Sequence, residues 1–262
     1  MLSKEQVQIF SKELKIDSFS VYREYLQLLF LKYFYDLPKS NQIYFKGGTA
    51  IKFLYGSFRF SEDLDFSSTL KEEEIISLIQ KSIKNLSKEI SVSFNQEKSV
   101  ADSFTGRIFQ GISDFSFSLT VRLDISLREK PIHIENNYIE TAFPIVPYPL
   151  VVHLAAKEIL AEKIRALIIR GQGRDVFDLW YLLSKKIVID WNLVNLKMSF
   201  FNRNTNLKEL INIIKGMQDQ EIQKDLTKFL PLNHRSIIKE IRVWLMEKLE
   251  KLGEKGTDES NK

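Results

Sequence analysis

The chain has 262 residues, 44% of them hydrophobic and 27% charged, which is enough to bury a core and excludes disorder of the bulk. It contains no cysteine, so a disulfide framework and a thiolate zinc site are excluded; a transmembrane run of about 18 apolar residues and a signal peptide are also missing, which fits a cytoplasmic protein. The net charge of +4 permits nucleic-acid binding without requiring it, and the basic excess lies late, with fourteen Lys/Arg against nine Asp/Glu over residues 185–255.

In chain order, residues 3–15 read as a short amphipathic helix. Ser20 is a candidate N-cap for a second helix, Val21 to Leu37, closed by Pro38. Tyr22, Tyr25, Leu26, Leu29, Phe30, Tyr33 and Phe34 make that helix a core element. A short apolar run, Ile43 to Phe45, then ends in Gly47-Gly48-Thr49, a helical stretch Ala50–Tyr55 follows, and Asp63 and Asp65 alternate with Leu64 and Phe66. Paired glycines let a backbone approach a ligand closely. A helix opening there turns N–H groups and its positive dipole end toward a phosphate. On a strand, Asp63 and Asp65 share one face, and two adjacent carboxylates call for a cation, Mg²⁺ where the substrate is a nucleoside triphosphate. A lone Asp-x-Asp is usually a solvated strand end and a lone Gly-Gly a turn; the ordered combination is far more specific.

Thr69-x-x-Glu72 has the form of a capping box opening a helix to about Ser87, whose lysine-rich face reads as solvated. The period then changes to two. Ser91–Phe94 and Arg107–Phe109 read as strands with a polar loop at Ala101–Gly106 between them. The clearest strand is Phe115–Ser126, with Asp124 on its polar face. Asp124 is either the third carboxylate of a metal site or an exposed-face partner of Arg122. Residues 131–149 form a proline-punctuated crossing with one short strand, Ile132 to Ile134, and the domain junction is placed near residue 150.

A long helix is expected over His153–Ile169, with Lys163 and Arg170 seven apart on one face. Gly171-Gln172-Gly173 breaks it, and a helix with Asp175 and Asp178 on one face follows. Read from the residues alone, these charges are helix caps and structural ion pairs. Helices are then expected at Trp191–Phe200, Leu207–Met217, Glu221–Phe229 and Ser236–Leu252, ahead of a polar tail. The three histidines lack metal-pair spacing.

Gly47-Gly48-Thr49 followed by Asp63-Leu64-Asp65 resembles the signature of the polymerase-β-type nucleotidyltransferase superfamily. The fuller string Phe45-Lys46-Gly47-Gly48-Thr49-Ala50 … Arg59-Phe60-Ser61-Glu62-Asp63-Leu64-Asp65-Phe66 resembles one branch, the AbiEii-type nucleotidyltransferase toxins of abortive-infection (phage defence) toxin–antitoxin systems. Leu160-Ala161-Glu162-Lys163-Ile164-Arg165-Ala166 … Arg170-Gly171-x-Gly173-Arg174-Asp175-x-x-Asp178-Leu179 resembles that family's second signature. The resemblance implies an active-site lysine at Lys163 and a functional aspartate at Asp175 or Asp178, with Arg174 as a structural alternative. The expected fold is α+β: residues 1–150 a nucleotidyltransferase-type mixed sheet with flanking helices, residues 151–252 a C-terminal helical bundle contributing to the cleft, and residues 253–262 a disordered tail.

The implied reaction moves a nucleotidyl group from an NTP to an RNA acceptor, a tRNA 3′ end, with release of pyrophosphate and blocked translation. Catalytic candidates are Asp63, Asp65, Asp124, Lys163, Asp175 and Asp178. Mg²⁺ would be held by Asp63, Asp65 and Asp124, and the nucleotide by Lys46, Gly47, Gly48, Thr49, Arg59 and Ser61. A separately encoded cognate antitoxin is implied, and no membrane. One rival reading keeps the site and makes a protein the acceptor of AMP. Another makes the chain a non-catalytic nucleotide- or RNA-binding module, whose mark would be a lost carboxylate or glycine.

Overall fold

Local capping signals set the first two helices. In the computed structural model, which describes residues 2–97, 102–113 and 115–259 with side chains to 254, Ser3 caps the helix Lys4–Leu14 (α1). Its hydroxyl accepts from the Gln6 N–H while the Gln6 side chain accepts from the Ser3 N–H, a reciprocal box. The second helix, Ser18–Tyr35 (α2), is capped by Asp17 and not by Ser20. Asp17 accepts from both the backbone N–H and the hydroxyl of Ser20, at 2.9 and 2.8 Å. A carboxylate three residues ahead of Ser20 satisfies the orphan donors first, so the helix starts a turn earlier than expected.

The chain clusters into residues 1–154 and residues 155–262. The first unit is built on seven strands: Ile43–Lys46 (β1), Asp63–Ser68 (β2), Val92–Gln96 (β3), Ser103–Gln110 (β4), Leu119–Ser126 (β5), Ile134–Tyr138 (β6) and Leu150–Leu154 (β7). They pair in the order β3-β4-β5-β2-β1-β7-β6. The β2–β5 and β1–β7 pairs are parallel and the others antiparallel, a mixed sheet. Helix Gly47–Tyr55 (α3) leaves β1 directly, and helix Glu72–Leu86 (α4) follows β2. Leu26, Leu28, Leu29, Phe30, Leu31 and Phe34 of α2 are fully buried, and Phe34 meets Phe66 of β2 at 5.9 Å between ring centres. Phe66 and Leu64 therefore face α2, and the alternation of the strand turns Asp63 and Asp65 to the other side of the sheet.

Several expectations shift. The helix after β2 starts at Glu72, where the Lys71 N–H donates to Glu74, so Thr69 is not its cap. Residues 103–106, expected as loop, belong to β4, because that strand pairs along its whole length with β5 and extends onto β3. Residue 101 lies outside the described residues. The alternation that predicts a strand from Phe115 becomes a ladder only at Leu119, which pairs with the last residue of β4. Phe115 and Phe117 instead pack against Phe19, both at 5.2 Å between ring centres. The short strand of the crossing is Ile134–Tyr138, not Ile132–Ile134, since its register is set by β7. β7 itself was expected as linker and helix start; its main chain is consumed by pairing with β1 and β6, so the next helix begins at Ala156.

The second unit is helical: Ala156–Arg170 (α5), Gly173–Ser184 (α6), Trp191–Ser199 (α7), Leu207–Gly216 (α8), Asp219–Leu226 (α9) and Ile241–Glu259 (α10). Residues Leu232–Lys239, partly expected as α-helix, form 3₁₀ turns before α10. The backbone helix continues through Gly253 to Glu259, past the point where a disordered tail was expected, and residues 260–262 lie outside the described residues. Tyr181 stacks on Phe177, and Trp180 meets Trp244 of α10 at 5.8 Å.

Candidate active site

The first cluster forms where β1 gives way to α3. Gly47 has φ +80°, a backbone state that disfavours side chains, and a Cβ there would fall 2.1 Å from Asp65 Oδ2. The carboxylate of Asp65 therefore lies directly against the backbone that opens α3. A Cβ on Gly48 would fall 2.3 Å from the Arg59 guanidinium and 3.0 Å from the Ser61 hydroxyl. Five of the residues singled out in the sequence, Gly47, Gly48, Arg59, Ser61 and Asp65, thus converge on one helix N-terminus. Thr49 is fully buried, and its hydroxyl donates to the Asp63 carbonyl, tying α3 to β2 rather than presenting the hydroxyl to a ligand.

Strand register places the charges. Lys46 on β1 pairs with Asp65 on β2, which pairs with Asp124 on β5. Residues paired in this way project from the same face, so a cation and two carboxylates form a row across three strands. A second row sets Asp63 beside Arg122, and Arg122 beside Arg107 of β4. Arg122 Nη2 lies 3.4 Å from Asp124 Oδ2, so Asp124 is paired with Arg122, as one of its two readings expected, while it stands beside Asp65 in the sheet. Among the described residues no three His, Cys, Asp or Glu side chains converge closely enough to hold a metal ion in this conformation. The expected trio is brought to one face of neighbouring strands but not to one point. Its donors are all carboxylate oxygens, the chemistry that suits Mg²⁺ and not zinc.

The residues that hold this cluster were not singled out in the sequence. Arg23 of α2 pairs with Glu62 at 2.8 Å, and Gln27 of α2 donates to the Ser61 carbonyl at 3.1 Å. Together they fix the approach to Asp63. Lys52 of α3 lies 3.8 Å over the Phe60 ring and 3.5 Å from buried Glu24. Burial raises the Glu24 carboxyl against the pull of Lys52. Arg122 Nε is buried, and among the described residues nothing accepts from it. Sequence separation hides the two contacts from α2, which reach the lead-in to β2 across more than thirty residues.

The second cluster is within the helical unit. Lys163 of α5 lies 2.7 Å from Asp178 and 3.7 Å from Asp175 on α6. Both aspartates are essentially fully buried. Arg170 closes a two-pronged contact on Asp175, 2.8 Å to each oxygen. Asp175 is thereby shared between two cations, while Asp178 is the nearer partner of Lys163. Arg174 stays out of this set: it donates to Gln172 and lies 5.0 Å over Phe229, a packing role. A third group, unforeseen in the sequence, buries Lys197 of α7 between Glu158 at 2.7 Å and Glu162 at 3.6 Å of α5.

His153 is buried on β7, bonded to Asn137 and to the Leu154 carbonyl, with burial lowering its pKa.

Known proteins match this arrangement at two levels. The crystal structure of JHP933 from Helicobacter pylori superposes with a TM-score of 0.63 at 21% identity, covering 94% of this chain and 97% of that one. A candidate nucleotidyltransferase from H. pylori superposes at 0.55 with 22% identity, covering 89% and 97%. At such identities the likeness establishes the fold. Among curated proteins there is no match. The family described as nucleotidyl transferase AbiEii toxin, type IV toxin–antitoxin system, matches residues 29–239, a span that holds both clusters. The chain belongs to the AbiEii nucleotidyltransferase toxin family.

Proposed function

We propose that the chain is a Mg²⁺-dependent nucleotidyltransferase toxin that moves a nucleotidyl group from an NTP to the 3′ end of a tRNA and so blocks translation. The observation that carries this reading is the packing of the Asp65 carboxylate against Gly47, with Asp124 its neighbour in the sheet. That packing puts carboxylates beside a helix N-terminus suited to phosphate. The N–H groups at Gly47 and Gly48, with Arg59 and Lys46, would hold the β- and γ-phosphates. Ser61, beside Arg59, would contact the nucleotide. Asp63 and Asp65 would hold Mg²⁺, which when bound neutralises charge on the transferring phosphate and the departing pyrophosphate. Asp124 would complete that ligand set or take the proton from the acceptor hydroxyl as its oxygen bonds to the α-phosphorus and the bond to pyrophosphate breaks. For either role Asp124 would exchange its contact with Arg122. Lys163, paired with Asp178 inside the helical unit, would be the functional lysine that the family's second signature implies.

Family membership implies a separate antitoxin. Among the described residues no helix is long and apolar enough to cross a membrane, which is compatible with action on cytoplasmic tRNA. The test is incubation of the protein with Mg²⁺, each labelled NTP in turn and total tRNA, beside Asp65→Ala. Label on tRNA with the parent alone supports the reading and names the nucleotide. Label on protein would replace the acceptor, and label on nothing would favour a binding module.

A further inference from the structure

The sheet ends on β6, and every residue of that strand is exposed. Tyr138 is 63% exposed, Val146 82%, and Ile132, Ile134, Tyr148 and Leu150 between 43% and 47%. Side chains of this size leave on the order of 100 Å² each in water at such fractions. The hairpin 132–150 therefore presents several hundred Å² of apolar surface, about what marks an interaction site on a monomer and a large part of the ~800 Å² per partner of a standard interface. Strand edges are normally guarded by proline, lysine or a bulge. Ile134-Glu135-Asn136-Asn137-Tyr138 has no proline or lysine and a single charge, Glu135, and its register with β7 runs without a bulge.

The main chain shows which groups point outward. The Ile139 N–H donates to the Pro149 carbonyl, continuing the β6–β7 register by one pair. In an antiparallel ladder alternate residues turn both polar groups to the partner strand. Glu135 and Asn137 thus turn to β7, and Ile134, Asn136 and Tyr138 turn theirs away from it.

The strand is also complementary to itself. We propose that β6 pairs antiparallel with β6 of a second copy about a two-fold axis at Asn136, continuing the sheet through a homodimer. That register sets Ile134 opposite the second copy's Tyr138, an aliphatic–aromatic cross-strand pair of the favourable kind. Glu135 falls opposite Asn137, so no like charges meet, and the outward groups form about six main-chain hydrogen bonds. Moving the axis to Glu135 would oppose two carboxylates, which selects the Asn136 register. Such a closed, isologous contact is the commonest form of homodimer.

The chain has no native cysteine, so a single introduced one reports the register directly. Across the axis the two Cα atoms of residue 136 would lie about 5.5 Å apart, within disulfide range. Full-length Asn136→Cys should crosslink into a covalent dimer on mild oxidation, whereas Glu135→Cys, offset from its own copy, should not. In sedimentation across the micromolar range the parent should approach twice the chain mass, and Ile134→Lys/Tyr138→Lys should return to one. Both replaced side chains are exposed in the single chain, so the variant should keep the parent's far-ultraviolet circular dichroism and a cooperative melt, its midpoint falling only by what dimerisation adds; if that variant misfolds, the two cysteine variants still decide. A parent that stays at one chain mass, a dimer that survives the lysines, or equal crosslinking at 135 and 136 would overturn the proposal.

Discussion

Replacing Gly47 by alanine probes the point on which the candidate site turns. Two costs add. A non-glycine residue at φ +80° loses about 1–2 kcal/mol to contact between its Cβ and the following carbonyl. The new Cβ would also meet Asp65 Oδ2 at 2.1 Å, whereas an ordinary contact needs about 3.5 Å, so the carboxylate must retreat by more than ~1 Å. A total near 2 kcal/mol, with a urea slope of about 2 kcal/mol/M, lowers the unfolding midpoint of the sheet unit by about 1 M. Misplacement of a reacting group by about 1 Å costs on the order of 100-fold in rate. Single-turnover transfer of labelled nucleotide to tRNA should fall by that order, and urea unfolding should show the stability loss separately. Gly48→Ala is the companion variant: its Cβ meets the end of the buried Arg59 side chain and the Ser61 hydroxyl rather than a carboxylate, at a backbone state open to alanine, so it should weaken nucleotide binding with a smaller loss of stability than Gly47→Ala. If Gly47→Ala keeps full activity and the parent midpoint, the contact between α3 and Asp65 is no part of the site.

Other expectations follow from the buried charges. Lys163→Ala should abolish transfer and destabilise the helical unit by about 3–5 kcal/mol, because it takes the 2.7 Å cation from buried Asp178, while Asp175 keeps Arg170; recovery of stability, but not of activity, in Lys163→Met/Asp178→Asn would separate the two roles. Lys197→Met should destabilise by a similar ~3–5 kcal/mol with transfer chemistry intact once folded, since it uncovers Glu158 and Glu162, and equal urea midpoints for parent and variant would contradict the buried triad. Burial lowers the His153 pKa, so below about 6.5 the unfolded chain takes up a proton that the folded chain does not. Stability is therefore full above that pH and is lost as pH falls through the lowered folded value, and His153→Gln should flatten this slope in urea midpoints taken at pH 7.5 and lower. Parallel pH profiles for the two proteins would refute the assignment.

The sequence alone determined what depends on neighbours along the chain. The Gly47-Gly48 turn into α3, the alternation that puts Asp63 and Asp65 on one face, the helix break at Gly171 and the shared face of Asp175 and Asp178 are all legible, because backbone period and steric permission act over a few residues. Tertiary structure decided what depends on register and reach. Only strand pairing sets Asp124 beside Asp65 and Arg122 beside Asp63, and only the packing of α2 brings Arg23 and Gln27 to the lead-in of β2. β7 was invisible because its five residues also suit a helix start, and competition for main-chain partners from β1 and β6 settled the matter. Local patterns choose the elements; which side chains meet is fixed by hydrogen-bond register and close packing between segments that the sequence holds far apart.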